Sequence, residues 1–74
     1  MPLKPLSYRE VKKRLESVGF VVATQKGSHV KFVRTENGMV LTAIVPKHDE
    51  IAIGTLKSIL RQAGINLEQW NSMS

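Results

Sequence analysis

Apolar positions along this chain recur first at helical spacing, then in alternation, then at helical spacing again. Val11, Leu15 and Val18 share one face of a predicted helix. Ser7-Tyr8-Arg9-Glu10 has the spacing of a capping box, in which the Ser7 hydroxyl accepts from the Glu10 backbone N–H. Gly19 stands where a left-handed C-terminal cap is wanted, and Glu10 with Arg14 offers an i,i+4 ion pair. The first helix is therefore expected from Tyr8 to Val18. Ahead of it Met1-Pro2-Leu3-Lys4-Pro5-Leu6, with two prolines and no periodicity, reads as an extended arm.

The period then changes. Phe20-Val21-Val22-Ala23-Thr24 is rich in strand formers, and Lys26-Gly27-Ser28 reads as a turn. In the next strand His29, Lys31 and Val33 fall on one face, and Val30 and Phe32 on the other. Glu36-Asn37-Gly38 is a hairpin turn, because Asn-Gly supplies the positive φ angles that tight hairpins demand. Met39 to Val45 forms a third strand, ended by Pro46. After the polar loop Lys47-His48-Asp49-Glu50, helix signals resume near Gly54-Thr55. Leu56, Ile59, Leu60 and Ala63 share a face there, and Gly64 is the stop. Asn66-Leu67-Glu68-Gln69-Trp70 reads as a short capped third helix.

The expected order is α-β-β-β-α with a terminal helical turn, an α+β fold in one domain spanning residues 1–74. The simplest packing sets both helices on one face of a three-stranded antiparallel sheet. The other face, and the loops at its ends, are left open to a ligand. Double-stranded-RNA-binding domains share this order and read A-form shape and phosphate. That analogy is one of fold and does not by itself assign a function.

Composition narrows the classes. A chain of 74 residues is near the lower limit for a core-stabilised domain, and without cysteine it has neither disulfides nor a Cys-ligated zinc to help. Its apolar stretches fall far short of the roughly 20 residues of a membrane span, and no signal peptide opens the chain, so a cytoplasmic protein is expected. Eleven Lys and Arg against 6 Asp and Glu give a net charge of +5, which suits a polyanion such as nucleic acid, or an acidic protein partner. The basic residues divide into Arg9, Lys12 and Lys13 on the first helix, Lys26, Lys31 and Arg34 on the hairpin, and Lys57 and Arg61 on the second helix. Tyr8, Phe20, Phe32 and Trp70 are scattered and offer no base-stacking platform. Phe20 and Phe32 are core candidates.

His29 is the sharpest chemical feature. It follows Gly27-Ser28 at the start of the second strand, between Lys26 and Lys31. RNA is cut without a metal when the ribose 2′-hydroxyl loses its proton and attacks the adjacent phosphorus, and the leaving 5′-oxygen gains a proton. Imidazole suits either transfer, since its ordinary pKa of about 6.5 is near working pH. Lys26 and Lys31 can stabilise the charge that develops on the phosphate, and Gly27-Ser28 shapes a turn whose N–H groups can meet an anion. Taken without a family, the plainer reading of His29 is an exposed residue beside a tight turn. Lys47 and His48 are candidate substrate-side contacts, with His48 a second proton-transfer group if the end of the third strand lies near the start of the second. Asp49 and Glu50 beside a single histidine make a poor metal site, and no cofactor motif is present.

Several runs together resemble a known family. Lys4-Pro5-Leu6-Ser7, Glu10-Val11, Gly19-Phe20 and Gln25-Lys26-Gly27-Ser28-His29, with Val45-Pro46-Lys47-His48 and the stretch from Gly54-Thr55-Leu56 to Ala63-Gly64-Ile65, resemble the HicA mRNA interferase toxins. The chain departs from the pattern at Val30, where many members carry a polar residue. It also lacks, before Gly54, the lysine-proline that members often have. The resemblance implies a double-stranded-RNA-binding-like fold, a single catalytic histidine at His29, and arrest of translation by cleavage of mRNA. It also implies neutralisation by a HicB-type antitoxin. On the residues alone, two other classes stay open: a non-catalytic RNA-binding module of the same fold, and a basic protein-interaction domain.

Overall fold

The computed structural model describes residues 3–73. Its elements in chain order are α1 (Tyr8–Ser17), β1 (Val21–Lys26), β2 (His29–Glu36), β3 (Met39–Pro46), α2 (Ile53–Ala63) and α3 (Leu67–Ser72). The strands form one antiparallel sheet in the order β1-β2-β3. This is the α-β-β-β-α arrangement with a terminal helix that the periodicity predicts.

The Ser7 hydroxyl caps α1 by accepting from the Glu10 N–H at 3.2 Å. The other end closes as a Schellman motif: Gly19, at φ 98, donates to Glu16 O at 3.1 Å, and Phe20 donates to Leu15 O at 3.1 Å. Phe20 therefore belongs to the helix stop and not to the strand, which begins at Val21. The motif folds Phe20 back against the core, where it is 1% exposed. Leu6, expected in a free arm, is instead strapped to Ile51 by two backbone hydrogen bonds of 3.3 and 2.6 Å. Met1 and Pro2 of that arm lie outside the described residues.

Val30, Phe32, Ala43 and Val45 line the covered face of the sheet, against Val11 and Leu15 from α1 and Leu56, Ile59, Leu60 and Ala63 from α2. Val30 is fully buried, so a core position explains why an apolar residue follows His29. Along the outer edge of β3, Gln62 of α2 accepts from the Ile44 N–H at 3.0 Å and satisfies a group that the ladder leaves free. Asn66 caps α3, accepting from Gln69 N–H at 2.7 Å, and α3 inserts Trp70 fully into the core. Arg14 lies over the Trp70 ring, 5.2 Å from its centroid, and donates to the Trp70 carbonyl at 3.2 Å. The expected Glu10–Arg14 pair is thereby displaced, because Arg14 reaches across to α3. No helix among the described residues is long and apolar enough to cross a membrane.

Candidate functional site

His29 opens β2 and is exposed, across the ladder from Lys26 on one side and Pro46 on the other. Two constraints set that register. A two-residue turn requires Lys26 to face His29, whereas the Phe20 anchor sets Val22 opposite Phe32. The two demands differ by one residue. The register shift between Val22 and Thr24 absorbs the difference, leaving Ala23 as the extra residue of a bulge. A slip of one residue would flip every side chain of the strand to the other face. With the bulge, Thr24 stands opposite Lys31 and Lys26 opposite His29. Lys26, His29 and Lys31 thus share the sheet face turned away from the helices, and all three are exposed.

Gly27 has φ 60 at the first central position of the turn, where hairpins of the II′ kind place glycine. The Gln25 amide donates to Gly27 O at 3.4 Å across the turn. Arg34 does not join this patch. It shares the covered face with Phe32, its side chain runs along Gly19, and it pairs with Glu36 at 2.8 Å. The basic hairpin cluster is therefore Lys26 and Lys31 only. Lys57 and Arg61 are exposed on α2.

Beyond β3 the chain stays close to His29. Lys47 N–H donates to Ser28 O at 2.6 Å, so the end of β3 lies beside the start of β2. His48 carbonyl then accepts from Tyr8 N–H at 3.0 Å, lacing the same segment to the first turn of α1. An open cleft results, lined by Ser7, Tyr8, Arg9, Lys47, His48 and Asp49. The Lys47 ammonium sits 5.9 Å from the centroid of the Tyr8 ring. Burial raises the Tyr8 phenol above its ordinary 10.0, and the Glu16 carboxylate adds to the rise, so Tyr8 is a neutral donor at physiological pH.

The turn and the cleft thus flank one three-residue segment, Pro46-Lys47-His48. Sequence reasoning found Lys47 and His48 but not their neighbours Tyr8 and Arg9, which reading by element had assigned to a helix. The signal available was Leu6, an apolar residue one position before the Ser7 cap. Such a residue commonly packs against the helix four positions in, here Val11, and fixes the chain's approach.

A family model described as the HicA toxin of bacterial toxin–antitoxin systems matches residues 8–65. The chain belongs to the HicA toxin family. No curated protein matched the chain. Membership makes it a toxin and implies an antitoxin as its counterpart. The HicA match runs from the start of α1 to the residue after Gly64 and includes the whole Lys26–Lys31 turn and the Lys47–His48 segment. Leu6 and α3, the parts that strap and close the fold, lie outside it.

Proposed function

We propose that this HicA-family chain is a metal-independent endoribonuclease, an mRNA interferase, acting on single-stranded stretches of mRNA in the cytoplasm and neutralised by a HicB-type antitoxin. The observation that carries the reading is His29. It is exposed on a glycine turn with Lys26 directly across the ladder and Lys31 beside it on the same face. A scissile phosphate set against that face has a proton-transfer group and two cations within reach, and the turn at Gly27-Ser28 leaves room for its oxygens.

The reaction requires two proton movements. The 2′-hydroxyl gives up its proton as its oxygen bonds to phosphorus, and the bond from phosphorus to the 5′-oxygen breaks. That oxygen takes a proton and leaves as a 5′-hydroxyl. The other product is a 2′,3′-cyclic phosphate. His29 serves as general acid or base, while Lys26 and Lys31 stabilise the doubly charged phosphorane-like transition state.

The test is incubation of purified, antitoxin-free protein with a long mRNA in excess EDTA, beside His29→Ala. Cleavage by the parent is expected, with the variant at least about 100-fold slower while still folded and RNA-binding. Ends bearing 3′-hydroxyl groups, or an absolute need for magnesium, would refute the mechanism. Intact RNA in both tubes would favour a binding module.

A further inference from the structure

The cleft beside the turn is large enough to hold a ligand group, yet its Tyr8 and Arg9 walls have no part in the chemistry above. The geometry points to this cleft as a second phosphate subsite, holding a phosphodiester one or two steps from the one cleaved, with Arg9 and Lys47 as its cations and His48 as a further donor. This rests on the reading of His29 as the scissile-phosphate site.

Distance is the first argument. Pro46 stands opposite His29, about 5 Å across the ladder, and His48 is two residues on, at most about 7 Å further and drawn in by the His48 N–H bond to Pro46 O. An RNA strand leaving the open sheet face over Pro46-Lys47-His48 covers that distance in one or two phosphate steps, so it presents a phosphate on each side. Rigidity is the second. Lys47 is tied through its N–H to Ser28 and His48 through its carbonyl to Tyr8, so turn and cleft are pinned to the same two residues. Charge is the third. Arg9 and Lys47 are exposed cations facing one opposing carboxylate, Asp49, within the same lining. The Tyr8 ring holds the Lys47 ammonium at the cleft mouth and is a positioning residue.

The test uses two uncleavable probes carrying 2′-O-methyl groups, a short single-stranded oligoribonucleotide and a dinucleoside monophosphate, titrated over a range of salt. The dinucleoside monophosphate has one phosphate and cannot fill both places. Arg9→Ala with Lys47→Ala is expected to weaken the longer probe by about tenfold and flatten its salt slope by about 0.7, the value for one phosphate on a single strand. The shorter probe is expected to bind unchanged.

Asp49→Asn is expected to tighten the longer probe by about two- to threefold, a gain that misfolding cannot produce. Tyr8→Leu removes the ring under Lys47 and is expected to lose part of the affinity and of the slope, and Tyr8→Phe, which keeps the ring, is expected to lose less. Equal loss on both probes, no loss on either, or no binding of either probe by the parent would overturn the subsite. Cleavage of unmodified RNA by the parent is scored separately. Its absence would remove the nuclease reading while the binding data still decide the cleft.

Discussion

Gly27→Ala separates two reasons for a glycine beside His29. The residue takes φ 60, and a Cβ placed on it meets no atom within 4 Å. Alanine therefore clashes with nothing in the protein, and its cost to stability is conformational, about 1–3 kcal/mol for an L-residue held in the II′ turn position that glycine favours. In a domain of this size each kcal/mol lowers Tm by about 4–8 °C, so a drop of about 4–24 °C is expected in a thermal melt followed by circular dichroism. At about 0.05–0.15 kcal/mol per residue, a 74-residue chain has roughly 4–11 kcal/mol of stability, and the variant stays folded at room temperature. Activity gives the second reading. If the glycine serves only the turn, cleavage per folded molecule is unchanged. If the turn backbone meets the phosphate, the added methyl group stands in the substrate's path, and a loss of about 10- to 100-fold is expected. Gly54→Ala is the matched control. That residue is the second of α2, has no positive φ and has equally open surroundings, so the same substitution is expected to leave stability unchanged or raise it by up to about 0.5–1 kcal/mol. An unchanged Tm for Gly27→Ala would refute the conformational argument, and full activity would refute the close approach of phosphate.

Trp70→Ala removes a fully buried side chain and leaves Arg14 without the ring it covers. A loss of about 3–5 kcal/mol is expected in urea unfolding, a large share of the total, and a loss under 1 kcal/mol would mean that α3 is not part of the core. Lys26→Ala with Lys31→Ala is expected to flatten the salt slope of single-stranded RNA binding by about 0.7 for each phosphate that the two lysines neutralise, with the far-ultraviolet spectrum unchanged. An unaltered slope would take the phosphate away from the open sheet face.

Much of this fold was legible because its signals are local. The Ser7 cap, the Gly19 stop, Asn37-Gly38 and the Asn66 cap each act over three or four residues, and each appears where the pattern placed it. Where the structure differs, a distant partner decided. Arg14 leaves Glu10 for Trp70, 56 positions away along the chain. Arg34 is a different case: grouped with the hairpin lysines by charge, it falls on the covered face by the same alternation that places Val30 and Phe32 there, and its side chain runs beside Gly19. The Ala23 bulge was hidden for a different reason. It resolves a conflict between two correct local signals, the Gly27-Ser28 turn and the Phe20 anchor, and neither signal alone announces it.

The candidate site divides along the same line. His29, Lys26 and Lys31 sit within six residues of chain, so alternation and a turn suffice to put them on one surface. The cleft joins Ser7-Tyr8-Arg9 to Lys47-His48-Asp49, and backbone hydrogen bonds make it: Tyr8 to His48, Leu6 to Ile51, and Lys47 to Ser28. Bonds of this kind carry no side-chain signature, and Leu6 before the Ser7 cap marks how the chain enters α1 without naming Ile51 or His48 as its partners. Their consequence is mechanical. The first turn of α1 is tied to the end of β3, and that end to the His29 turn, so one run of backbone bonds joins the Leu6–Ile51 strap to both parts of the candidate site although neither residue lines the cleft.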